Sequence, residues 1–114
     1  MKRIEDNLQI AVVRWFKLQH PDILIAHCPN GGFRTKVEGA IFKAMGVMPG
    51  FPDIMILKAN DAFHALFIEL KSPKGVQTES QKEFARKALK AGYQYEIIRS
   101  IDEFIELINN YLKN

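Results

Sequence analysis

Residues 46–71 read GVMPGFPDIMILKANDAFHALFIELK, and the phasing of this stretch decides the fold. It divides into a loop, a strand, a turn and a second strand. Asp53 stands at the mouth of the first strand; Glu69 and Lys71 lie near the end of the second. Strand side chains alternate between faces, so Glu69 and Lys71 share one face and Leu70 takes the other. Asn60 and Asp61 are turn formers. With a three-residue loop over 60–62, Ala59 pairs with Phe63 and Asp53 falls opposite Glu69. A two-residue loop turns Asp53 to the far face. A shared site therefore requires the three-residue loop, or a bulge that restores the phase.

Two carboxylates and an ammonium on one face suggest a definite chemistry. Hard oxygen ligands suit Mg²⁺ or Mn²⁺, ions that also bind phosphate oxygens. Such a cation polarises a phosphoryl group and acidifies bound water. Lys71 can position or deprotonate the attacking water, or steady charge in a phosphorane-like transition state. A structural salt bridge is the plain alternative for the charged pair.

The chain has 114 residues, 47% apolar and 25% charged, the balance of one ordinary globular domain over 1–114. A net charge of +3 and a pI near 9.1 are compatible with a polyanionic partner. The single cysteine, Cys28, rules out an internal disulfide and fits a reducing compartment. No apolar run reaches the length of a membrane span, and no secretory segment follows the N-terminus. A cytoplasmic protein is expected.

Residues 4–19 have the spacing of an amphipathic helix, with Ile4, Leu8, Ala11, Trp15 and Leu18 on one face and Pro21 beyond its end. Glu5 is either a first-turn carboxylate complementing the helix dipole or a third acidic group at the site, with Gln9 behind it. Residues 23–28 read as a buried strand, in which His27 is structural. Pro29-Asn30-Gly31-Gly32 then marks a loop. Asn30, Gly31, Arg34 and Lys36, with Lys74 in the turn at 72–75, are candidate nucleic-acid contacts. A wide turn and a solvated basic surface account for them equally well.

A short helix is expected over 35–45, capped by Gly46. Pro52 then fixes the aim of Asp53. Residues 54–57 and 65–70 are apolar on both faces, as in central strands. Thr78-Glu79-Ser80-Gln81 matches a capping box opening a helix that buries Phe84, Ala85, Ala88 and Leu89 and stops at Gly92. Gln81 could serve the cap alone or also face the cleft. Lys82, Arg86 and Lys90 form a stripe that is either the wet face or a DNA track. A strand over 93–99 follows. Ser100-Ile101-Asp102-Glu103 forms a second capping box before the last helix.

The order helix, strand, helix, strand, strand, helix, strand, helix, with Pro52-Asp53 and Glu69-Leu70-Lys71, resembles the PD-(D/E)xK nuclease superfamily. Glu5 with Gln9, Pro29-Asn30-Gly31-Gly32 with Arg34, Gly46-Val47-x-x-Gly50-x-Pro52-Asp53, Phe67-Ile68-Glu69-Leu70-Lys71 and Gln81 follow the order of its VRR-NUC branch. Across nearly the whole chain the likeness is to the short, stand-alone form of phages and bacteria. It implies an α/β, restriction-endonuclease-like core: a central mixed sheet of about four strands flanked by helices. It further implies Mg²⁺- or Mn²⁺-dependent phosphodiester hydrolysis. Asp53, Glu69, the Leu70 carbonyl and Glu5 would be metal ligands, Lys71 the catalytic lysine, and Gln81 an accessory group. Stand-alone members resemble homodimers acting on branched DNA such as Holliday junctions, in repair and recombination. Apolar residues left over on the first or last helix would pair the copies. A flap nuclease, a sequence-specific restriction-type enzyme and a non-catalytic DNA-binding module are the competing expectations.

Overall fold

The computed structural model describes residues 2–29 and 35–114, so Asn30, Gly31 and Arg34 lie outside the described residues. In chain order the elements are α1 (Lys2–Gln19), β1 (Ile25–His27), α2 (Lys36–Ala44), β2 (Ile54–Ile56), β3 (Leu66–Leu70), α3 (Glu79–Lys90), β4 (Gln94–Ile98) and α4 (Ile101–Lys113). The sheet order is β1-β2-β3-β4. β1 and β3 flank β2 antiparallel, while β4 joins β3 in parallel through the α3 crossover. This is the expected mixed four-stranded sheet with its helices.

The decisive register holds. Ile54 pairs with Ile68, Met55 with Phe67 and Ile56 with Leu66, and the same phase sets Asp53 opposite Glu69. The ladder stops at Ile56 rather than running to Ala59. Residues 57–65 form a wider connection with the expected turn at its tip, where Asn60 Oδ1 accepts from Ala62 N and Phe63 N (2.9 and 2.8 Å). The loop is tied down by α4: Tyr111 Oη donates to Lys58 O (2.7 Å), and Asp61 N donates to Asn114 O (3.0 Å).

Two hydrophobic layers sandwich the sheet. Ile54, Ile56, Leu66, Ile68, Leu70 and Ile98 face one way, onto Val12 and Phe16 of α1 and Phe104, Ile108 and Tyr111 of α4. On the other side Met55, Phe67, Tyr93 and Tyr95 meet Phe84 and Ala88 of α3, with Phe51 stacked edge-on to Phe84 (5.2 Å).

Several local expectations shift. In α1 the buried ridge is Val12 and Phe16 flanked by Leu8 and Trp15, whereas Ile4 and Leu18 point to solvent. β1 is an edge strand, only half covered. No residue of α2 is buried, although Thr35 and Glu38 build a full capping box that went unread in the sequence. In α3, Phe84 and Ala88 are buried but Leu89 is exposed. Thr78 and Gln81 do form the expected box. At Ser100 only half of one forms, because Glu103 Oε1 accepts from Arg99 N instead of the cap residue. Lys82 and Arg86 are paired with Glu79 and Glu83 (3.3 and 2.6 Å), so two-thirds of the basic stripe is neutralised along its own helix.

Candidate active site

Asp53 is aimed by the loop before it. Gly46 closes α2 with φ of +103°; its N–H returns to Lys43 O and that of Val47 to Phe42 O, a Schellman cap. Gly50 has φ of +77°, and a Cβ there would stand 2.2 Å from Ser80 O. Only glycine allows this loop to lie backbone to backbone on the first turn of α3. That contact brings the Asp53 loop and Gln81 to the same place. Pro52 is fully buried. His27 Nδ1 lies 2.7 Å from Asp53 O; a carbonyl only accepts, so the ring donates there, the structural role expected for it. Asp53 Oδ2 accepts from Leu70 N at 2.8 Å.

That last bond has a backbone consequence. Leu70 N–H faces β2, so its carbonyl faces the same way. The residue opposite by register is Pro52, which has no N–H to offer. The Leu70 carbonyl is thus left without its ladder donor, at the edge where Asp53 projects.

Glu69 is buried, with 4% of its surface exposed. Gln81 Nε2 donates to its Oε2 (2.9 Å), while Gln81 Oε1 accepts from Thr78 N (2.9 Å). Gln81 therefore serves the helix cap and the cleft together. The other oxygen, Oε1, is buried with no hydrogen-bond partner among the described residues. Burial pushes the Glu69 carboxyl up to about 8, and the Asp53 charge beside it adds to the effect; Lys71 opposes it and Glu5 adds a smaller push.

Lys71 is 8% exposed, and among the described residues no carboxylate lies within 4.0 Å of it. The salt-bridge alternative is therefore not what the lysine makes. Glu5 Oε2 accepts from Ser72 N at 3.4 Å, a long bond. Its charge reaches Glu69, yet among the described residues no three His, Cys, Asp or Glu side chains cluster closely enough to cage an ion. The carboxylate pair is Asp53 and Glu69, with Glu5 at the margin. Lys36 and Lys74 are exposed.

Three residues near this pair escaped the sequence reading. Tyr95 in β4 pairs with Phe67 and so shares the Glu69 face. Burial pushes its hydroxyl up to about 12. Gln77 Nε2 donates to that hydroxyl (3.4 Å). Arg99 Nη1 donates to Ser72 O (2.8 Å) and Gly75 O (2.7 Å), holding the turn after Lys71. The parallel pairing of β3 with β4 is the signal that would have found Tyr95 and Arg99.

The donor set suits a hard divalent cation. A buried, unpartnered carboxylate oxygen carries a desolvation cost that a cation relieves, and a second carboxylate and an undonated carbonyl sit beside it. A nitrogen- or sulfur-loving metal has nothing comparable at this site among the described residues.

Comparison with known proteins bears on the fold and the family. The VRR-NUC domain family model matches residues 3–102. A solved structure titled "VRR_NUC domain protein" is 34% identical, with a TM-score of 0.82 over 96% of this chain and 88% of that one. No curated protein matches the chain.

Proposed function

Starting from the fact that this chain belongs to the VRR-NUC family, a nuclease-type domain that processes DNA, we propose that it is a Mg²⁺- or Mn²⁺-dependent endodeoxyribonuclease. Its proposed target is branched DNA such as Holliday junctions, in repair or recombination. The observation that carries the metal is Glu69 Oε1: buried, without a hydrogen-bond partner among the described residues, and next to Asp53.

Asp53, Glu69 and the Leu70 carbonyl would hold the ion, with Glu5 joining from α1. Bound there, it would polarise the scissile phosphate and acidify water. The chain supplies the rest. Gln81 keeps Glu69 Oε2 occupied, so that Oε1 is the oxygen presented. Lys71, with no carboxylate partner among the described residues, positions the attacking water or steadies charge on the phosphorane-like transition state. Water adds to phosphorus, a P–O ester bond breaks, and the leaving oxygen takes a proton.

A homodimer would present two such sites to the two strands of a junction. Among the described residues the exposed large apolar side chains include Ile4, Ile10 and Leu18 of α1 and Val37, Ile41 and Phe42 of α2, and none on α4. Light scattering on the purified chain reads the stoichiometry directly.

Cleavage of a labelled four-way junction, compared with flap and plain duplex, tests the activity. Asp53→Asn, Glu69→Gln and Lys71→Ala should each lower cutting by about three orders of magnitude or more. Wild-type protein inert on every substrate with both ions would overturn the reading.

A further inference from the structure

β4 ends beside Lys71. Lys71 N donates to Ile98 O (3.0 Å), so the parallel ladder runs one step beyond Leu70 and Ile98 and sets Lys71 against Arg99. Leu70 and Ile98 are both in the core, and alternation turns Lys71 and Arg99 to the face of Glu69. Like charges at facing positions repel. Among the described residues neither cation has a carboxylate within 4.0 Å. Glu103, four residues on, uses its Oε1 on Arg99's backbone N–H rather than on the guanidinium (2.8 Å).

The Arg99 guanidinium is fixed all the same. Its Nη1 donates to the carbonyls of Ser72 and Gly75, and at 3.4 Å to Pro73. Those bonds engage one nitrogen. The donors on Nε and Nη2 have no protein acceptor among the described residues. A preoriented planar cation, unneutralised and adjacent to another, is matched by a phosphate, which takes two parallel N–H bonds.

We propose that Arg99 binds a DNA backbone phosphate next to the one being cut, with the 72–75 turn as its bracket. This rests on the reading that Asp53 and Glu69 mark the scissile position. Sequence-independent phosphate contacts have a direct thermodynamic signature, the slope of log affinity against log salt.

The test measures binding of a labelled four-way junction over a salt series, in chelator so that nothing is cut. Wild type, Arg99→Gln and Arg99→Lys are compared, with melting temperature recorded for each. Arg99→Gln should flatten the slope by about 0.9 and weaken binding about eightfold near 0.1 M salt. Arg99→Lys should keep the wild-type slope while melting lower, because it retains the charge but not the three carbonyl bonds. An unchanged slope in Arg99→Gln overturns the proposal and leaves a turn staple. An equal fall in both variants also overturns it, since collapse of the turn rather than loss of charge would then be the cause. Failure of the nuclease reading looks different: the wild type itself then shows neither binding nor, with metal restored, cleavage.

Discussion

The two faces of β3 come from the same five residues and do opposite things. Leu66, Ile68 and Leu70 are fully buried against α1 and α4. Each such side chain contributes roughly 1.5–3 kcal/mol on leaving water. On the reverse face, Phe67 joins the aromatic cluster under α3, and then Glu69, just as deep, has an oxygen with no hydrogen-bond partner among the described residues. One face gains stability by burial; the other loses some of it by burying a polar carboxyl with an unpartnered oxygen. The lesson is that a site this poorly solvated is tolerable because its own strand is anchored from behind.

Substitutions on the two faces should separate cleanly. Ile68→Ala opens a cavity in the α1/α4 layer and should cost roughly 2–5 kcal/mol by urea unfolding. Its cutting rate per folded molecule should stay near wild type. Glu69→Gln should do the reverse, abolishing cleavage while leaving the ion-free protein at least as stable near neutral pH. If Ile68→Ala cripples cutting at temperatures where it is fully folded, the faces are not independent and the contrast fails.

The part of this arrangement legible in the sequence was the part governed by local rules. Period-two alternation and the turn residues at Asn60 and Asp61 left two phases open; the requirement of a shared site chose the one with Asp53 opposite Glu69, and the ladder has that phase. Capping chemistry located the start of α3 to the residue. What was illegible depends on tertiary neighbours. The α1 stripe was placed one position off because Val12 and Phe16 form a second apolar row, about 100° round the helix from Ala11 and Trp15, and only the position of the sheet decides between the two rows. β1 has the composition of a buried strand but takes an edge, which apolarity alone does not report. Arg99 and Tyr95 join the site through parallel pairing across a helix, a contact with no local sequence signature.

A smaller effect tests the bracket over the outer face. Gln81→Met should lose both bonds, lowering Mn²⁺ affinity about 10–100-fold by calorimetry and stability by roughly 1 kcal/mol. Thr78→Ala removes the cap hydroxyl that accepts from Gln81 N but leaves the bond to Glu69. It should match the stability loss and spare the ion affinity. Equal affinity losses in the two variants would mean that Gln81 acts only by starting the helix.

The subtlest difference between the faces is in proton linkage. On the apolar face β3 itself presents only Leu66, Ile68 and Leu70, none of which titrates. Glu69, by contrast, is pushed from an ordinary 4.5 up to about 8 by burial and by Asp53. Between those values the folded chain holds a proton that the unfolded chain has released. Stability must therefore fall as pH rises through that window, the sign expected when the native state binds more protons. In chelator, wild-type urea midpoints should decline from about pH 5 to 9 more steeply than those of Glu69→Gln, which has no proton to give up. The difference curve isolates this carboxyl from the histidines, which both proteins share. Mn²⁺ should reverse the trend: the cation takes the place of the proton, so its apparent affinity climbs with pH and its stabilisation is greatest at the alkaline end. Parallel curves for the two proteins would mean that water reaches Glu69 Oε1 freely, and that no desolvation cost draws a cation to that oxygen.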